Sequence, residues 1–397
     1  FILIFFSVYI ASCFVTGGKL FSALLGANYH TMLIAAAAIV LFYTLLGGFM
    51  AESVSDFIQA IIMVAALIAV VIFGIARAGG MAAVSANLGE IPGFLQFFFS
   101  ASPDTFTPAA TGVAEQLPVT IERLSSAWKE SSPYGALTIA STLAWGLGYF
   151  GMPQVLVRFF AIRKVKELKR ARRIATVWCV IAMTAAVFIG LMGRAIFPYH
   201  DTLKTAGGAE SIFIVLSQTL FHPLVAGLVM AGILAAAMSS SDSYLLIASS
   251  AVSKNIYQGI FKRNATDKQV MWVSKVALCV LAVLDIIIAW NENSVIFQVV
   301  SFAWAGFGAA FGPLVLFSLF WKHTTRAGAL AGIIGGGGMV FFWKLVIRPL
   351  GGIWNIYELL PAFIFGCICI LLASAIDDPP PKEVLEEFDR VKTVEID

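Results

Sequence analysis

The polar side chains able to do chemistry in this sequence are few, and they stand in apolar surroundings. Asp242 lies in GILAAAMSSSDSYLLIASSAVSKN, an apolar run that also carries Ser239, Ser240, Ser241 and Ser243. On a helix, Ser239, Asp242 and Ser243 fall at i, i+3 and i+4 and are expected to share a face, with Ala236 one turn earlier. A hard monovalent cation takes several oxygen ligands, and hydroxyls, one carboxylate and freed backbone carbonyls supply them. The same pattern also suits close packing of small residues, with hydroxyls bonded back to carbonyls one turn earlier. Asp56, in AESVSDFIQ, opens another apolar run, where a helix N-terminus also favours a carboxylate. At membrane depth either acid is costly unless paired or hydrated, which makes both functional candidates. Asp285, in VLAVLDIIIAWNENS, stands just before Trp290 and Asn291 and is expected to snorkel to water.

A second kind of chemistry is solute binding. In STLAWGLGYFGMPQVLVRF, Gly146, Gly148, Gly151 and Pro153 oppose an unbroken helix, and irregular backbone at this depth is tolerated where it lines a cavity. Trp145 and Tyr149, at i and i+4, then face the same way and offer an amphipathic wall; a simple proline kink is the alternative. Gly306, Gly308, Gly312 and Pro313 in SFAWAGFGAAFGPLVLF repeat the pattern, fitting a hinge or close helix packing. His30, His200, His222 and His323 lie at or beyond the ends of apolar runs, and the five cysteines lack metal-ligand spacing. Neither a phosphate loop nor paired acids accompany them. The expected chemistry is ion coordination and solute binding without bond breaking: no enzyme, and no cofactor beyond a coupling ion.

The elements that must position these groups follow from composition. Of 397 residues, 59% are hydrophobic and 12% charged, half the roughly 25% charge of an ordinary soluble domain. That excludes a soluble enzyme, 33 Phe exclude disorder, and a net charge of +3 gives no basis for nucleic-acid binding. An all-α polytopic membrane protein remains. Ten candidate spans are expected at 1–18, 30–50, 54–76, 134–154, 174–197, 223–250, 269–290, 295–321, 327–347 and 356–376. Runs such as AALIAVVIFGI lack the alternation of a β-barrel strand. Eight Lys and Arg fall between Arg158 and Arg173, with further basic residues in 251–275, at Lys322 and Arg326, and in the tail. That side is expected to be cytoplasmic, together with the C-terminus. Residues 1–376 then form the transmembrane domain, 79–133 a long extracellular loop acting as lid or tether, with a short helix around QLPVTIERLSSAW. Residues 206–221 form an extracellular surface helix, and 377–397 an acidic cytoplasmic tail. Residue 1 is Phe, inside an apolar run without a basic leader, so the sequence is expected to begin within a longer protein.

Several stretches resemble the sodium:solute symporter family, most closely its sodium/proline branch. They are FYTLLGGFMAESVSDFIQ, LAWGLGYFGMPQVLVRFFAI followed by ARRIATVW, LVMAGILAAAMSSSDSYLLIASSAVSKNIY, SFAWAGFGAAFGPLVLFSLFWKHTTRAGALAG and IYELLPAFIFG. The resemblance implies a LeuT-type inverted-repeat fold lacking its first helices, with solute and sodium held at mid-membrane by broken helices. It implies solute-pocket roles for Trp145, Tyr149, Pro153 and Tyr9. Ala236, Ser239 and Ser240 match half of the main sodium site, and Asp56, with the hydroxyls of Ser239 and Ser243, matches a second one. Asp242 stands where the branch carries a hydroxyl, and Met152 and Gln154 depart from the residues that flank its proline. The implied activity is sodium-coupled uptake across the plasma membrane of a small amino acid, foremost L-proline. Another solute such as pantothenate or a sugar, or a transporter-like sensor, is the alternative.

Overall fold

The computed structural model describes residues 1–89, 93–96, 98–100, 132–197, 203 and 206–393. Along the chain come α1 (Ile2–Leu25), α2 (Tyr29–Gly48), α3 (Glu52–Arg77) and a short α4 (Met81–Gly89). The strands β1 (Phe99–Ser100) and β2 (Ser132–Pro133) pair antiparallel, Phe99 opposite Pro133. Then follow α5 (Ala136–Leu143), α6 (Trp145–Gly148), α7 (Pro153–Phe160), α8 (Lys166–Ile196), α9 (Ile212–Leu220) and α10 (Pro223–Ser250). The chain closes with α11 (Asp267–Ile288), α12 (Ile296–Phe320), α13 (Arg326–Phe342), α14 (Leu359–Ile376) and α15 (Lys382–Thr393). Among the described residues, nine helices are long and apolar enough to cross a bilayer. They account for nine of the ten expected spans. The loop helix expected around 116–128, His200 and the last residues of the tail lie outside the described residues.

The tenth span, 134–154, is broken. Its helix stops at Gly148, a 3₁₀ turn covers Tyr149–Gly151, and Met152 is extended (φ −75°, ψ 109°) before α7 restarts at Pro153. Proline disfavours a helical residue before it and is well suited to the first turn of the next helix. The sequence therefore places the break at Met152. A second interruption falls at Gly48, whose φ of 65° is a left-handed value that side-chain-bearing residues rarely adopt; it divides a continuous helical run into α2 and α3. Ordinary caps stand at several other ends: Gly26 at φ 62° after α1, Asn28 accepting from the His30 N–H before α2, and a Thr266/Gln269 capping box at α11.

Helix α1 is the centre of the bundle. Phe5, Phe6, Ile10 and Phe14 are buried along it, packed among α2, α10, α11 and α12. Phe5 alone meets Phe302, Phe307 and Phe341. The glycines of α12 serve this packing: a Cβ on Gly312 would lie 2.7 Å from the Phe363 ring, and one on Gly308 2.7 Å from Gly148 Cα. By contrast α3 and α8 expose Ile61, Phe73, Val180, Met183 and Val187, as lipid-facing helices do. Two expectations need correcting. The run after Ser250 is not a simple connection, because Ala251–Phe261 continues α10 as a π-helix despite carrying Lys254. Nor does Asp285 snorkel: it is 0% exposed and faces Ser7 of α1. The packing of α11 against α1 turns this residue inward, which proximity in sequence to Trp290 did not reveal.

Candidate functional site

The middle of α10 forms one wall of a cavity of about 980 Å³, lined there by Ala236, Ser239, Ser240 and Ser243. Asp56 and Gln59 of α3 and Gln154 and Arg158 of α7 line it from the other sides. Residues four apart on a helix lie one above another, so Ala236 and Ser240, and Ser239 and Ser243, present one surface. Ser239 Oγ donates to Ala236 O at 3.1 Å. Asp242 belongs elsewhere. About 100° around the helix from Ser243, it is fully buried against α2, where the Tyr43 hydroxyl donates to its Oδ2 and lies 3.2 Å from Met238 O. Its Oδ1 accepts the Ser243 N–H at 2.7 Å. The oxygen set expected from the sequence is thus divided, with the serines on the cavity and the carboxylate in the α2–α10 contact.

Asp56 is on the cavity, and it is not alone. Arg158 Nη2 donates to Asp56 Oδ2 at 2.6 Å and to Ser243 Oγ at 3.1 Å, and lies 3.4 Å from Glu52 Oε1 as an ion pair. Ser243 Oγ in turn donates to Glu52 Oε1. Glu52 is only 4% exposed, so a buried carboxylate, a second carboxylate and a guanidinium form one network. Burial of two such acids is sustained by the cation they share. Among the described residues Asp56 Oδ1 has no hydrogen-bond partner, an oxygen open to a further donor or cation. Glu52, Arg158 and Tyr43 were not among the residues that sequence reasoning singled out. The signals existed: Glu52 and Asp56 fall at i and i+4 in one apolar run, and Arg158 stands five residues after Pro153.

The solute-binding candidates lie along the broken span and α1. The Trp145 ring stacks with Phe297 (5.3 Å, 26°) and Trp304 (5.8 Å, 30°), and Trp304 Nε1 donates to Trp145 O at 3.0 Å. Tyr149 meets Trp304 edge-on at 4.8 Å and is 56% exposed. Pro153 is buried at the restart of the helix. Tyr9 stacks on Tyr244 (4.6 Å, 18°), which lines the cavity; the Tyr244 hydroxyl lies beside those of Tyr9 and Ser240. Tyr244 therefore joins the α10 serines to Tyr9. Such an arrangement suits holding a small cation and an amphipathic solute side by side, and among the described residues no group of three His, Cys, Asp or Glu is placed to hold a metal ion.

Residues 1–336 match the model of the sodium:solute symporter family. The chain belongs to that family. As a sodium:solute symporter it is a transporter, not an enzyme, and a multi-pass protein of the plasma membrane. It is 39% identical over 388 residues to the high-affinity proline transporter PutP of Bacillus subtilis, covering 98% of this chain and 74% of that protein. It is 38% identical over 396 residues to the sodium/proline symporter of Haemophilus influenzae, covering 98% and 72%. A solved structure of a Na⁺-coupled sialic acid symporter in a substrate-bound outward-open state superposes with a TM-score of 0.62 at 20% identity, over 95% of this chain and 75% of that one. This shared architecture is the LeuT-type fold that the family resemblance implied.

Proposed function

We propose that this symporter couples inward movement of sodium to uptake of L-proline. What carries the reading is one juxtaposition: Ser239 and Ser240 line a cavity with Asp56, and through Tyr244 adjoin Tyr9; Trp145, Tyr149 and Pro153, outside the lining of that cavity, complete the solute wall in this reading. It is supported by the relatives named for proline transport, which match almost the whole chain. Sodium binds among Ala236, Ser239 and Ser240, and a second cation is drawn to Asp56 and Ser243, with Asp242 adding negative charge behind the serines. An apolar pyrrolidine rests on the aromatic rings of the broken span. The driving force is the ion gradient, about 2.3 kcal/mol per charge per 100 mV plus the concentration term. Sodium bound to the α10 serines favours the solute-competent arrangement of the broken span, and by linkage the solute favours sodium equally.

Orientation follows the asymmetry of Lys and Arg. The Arg158–Arg173 side and the tail from Asp377 are cytoplasmic, and 79–133 and 206–221 are extracellular. Met152 and Gln154 depart from the proline branch beside Pro153, which favours a second reading in which the solute is another small amino acid. Uptake of labelled proline in competition with other amino acids, pantothenate and sugars separates the two. Proline as the strongest competitor supports the first reading, and a better competitor of another class replaces it.

A further inference from the structure

Tyr357 and Glu358, at the start of α14, join three elements to the aromatic wall. The Tyr357 N–H donates to Ser141 Oγ of α5 at 3.0 Å, and its hydroxyl donates to Ser301 O of α12 at 2.6 Å. Its ring stacks almost parallel to Trp145, at 5.5 Å and 14°. Among the described residues Trp145 is held by the rings of Phe297 and Trp304 of α12 and of Tyr357, and Tyr357 is also tied to α5, the helix that leads into the break. Glu358, the next residue, is 0% exposed. Arg348 Nη1 donates to its Oε2 at 2.6 Å, and Lys344 Nζ lies 3.5 Å from its Oε1 and 4.2 Å from the centre of the Phe302 ring. A buried carboxylate is stable only with such compensation, so the two cations fix the backbone from which Tyr357 projects.

We propose that Tyr357 is a positioning residue for solute binding, setting the plane of the Trp145 ring, with Glu358 and its two cations fixing Tyr357 in turn. The proposal rests on the reading of Trp145 as part of the solute wall. Tyr357 does not itself touch the solute; its loss loosens the wall and weakens binding without altering the steps that follow.

The test uses the reconstituted protein labelled with 5-fluorotryptophan, the Trp145 resonance being the one lost in Trp145→Phe. Tyr357→Leu removes the stacked ring; Tyr357→Phe keeps it and loses only the bond to Ser301. In Tyr357→Leu the Trp145 resonance shifts, and KM for L-proline uptake rises about three- to tenfold with kcat within about twofold, the scale of one aromatic pair. Tyr357→Phe leaves the resonance unshifted and KM within about twofold of wild type. Glu358→Gln, which keeps the side-chain volume, shifts the same resonance in the same sense and raises KM, and it decides the matter if Tyr357→Leu does not fold. An unshifted Trp145 resonance in Tyr357→Leu, or in Glu358→Gln, overturns the proposal. A shifted resonance with unchanged KM leaves the ring contact standing and overturns the reading of Trp145 as solute wall, and with it the role in binding.

Discussion

The Arg158 guanidinium lies 2.6 Å from Asp56 Oδ2, so a side-chain cation from the broken span already occupies part of the oxygen set on which a second sodium would draw. Glu52 and Ser243 belong to the same network. One guanidinium between two carboxylates leaves that network one negative charge in excess, while Lys169 and Arg172 line the same cavity. A cation entering there would either share Asp56 with Arg158 or displace it, which would tie its binding to the position of α7.

Removal of Arg158 leaves Glu52 and Asp56 to be neutralised from solution. Arg158→Ala is expected to melt at a lower temperature than wild type in sodium-free buffer and to gain more on addition of NaCl. Its side chain is 45% exposed, so the loss is about 1 kcal/mol rather than the 3–5 kcal/mol of a fully buried pair. Melting curves in NaCl and choline chloride decide it. An equal sodium-dependent gain in both proteins contradicts the charge argument.

The break in the fourth span depends on a close approach to α12. A Cβ on Gly151 would lie 2.7 Å from the backbone nitrogen of Gly312 and 3.1 Å from Gly308 Cα, whereas one on Gly146 would meet nothing within 4 Å. Gly151→Ala is expected to cost about 1–3 kcal/mol through overpacking against backbone, and Gly146→Ala to be neutral or slightly stabilising. Comparable melting temperatures for the two variants count against this packing.

Glu210 caps α12 from the segment before α9. Its carboxylate accepts the N–H groups of Ile296 (3.0 Å) and Phe297 (2.9 Å), and Lys19 of α1 lies 3.8 Å away. Phe297 is also one of the rings on Trp145. Glu210→Ala is expected to cost about 1 kcal/mol, the worth of a helix cap, and Glu210→Gln less, because the amide oxygen still accepts. Hydrogen exchange at Ile296 and Phe297 reads this directly, and protection unchanged in Glu210→Ala argues against the cap.

How much of this was legible in the sequence depends on what each residue had to reveal. Apolar runs long enough to span a bilayer announce themselves, and nine of the ten became long helices, α12 among them despite the Pro313 inside it. The tenth was equally readable from Gly148, Gly151 and Pro153. Side-chain direction was harder. Ser239, Asp242 and Ser243 share a loose helical face by spacing, yet the roughly 100° between neighbours on a helix sends Asp242 to Tyr43 and Ser243 to the cavity. Arg158 read as the first charge of a basic connection, since only the fold brings α7 against α3. Asp285 read as a boundary residue for the same reason: its burial comes from α1, distant in sequence.

The central claim is that the α10 serines and Asp56 bind the sodium that drives uptake. Its most direct test is the uptake of radiolabelled L-proline into proteoliposomes under an inward sodium gradient, against an equal potassium gradient, for wild type, Ser239→Ala and Asp56→Ala. Accumulation driven by sodium alone in wild type, and lost in both variants, is the predicted result. Uptake that ignores sodium in wild type, or sodium dependence that survives unchanged in both variants, contradicts it.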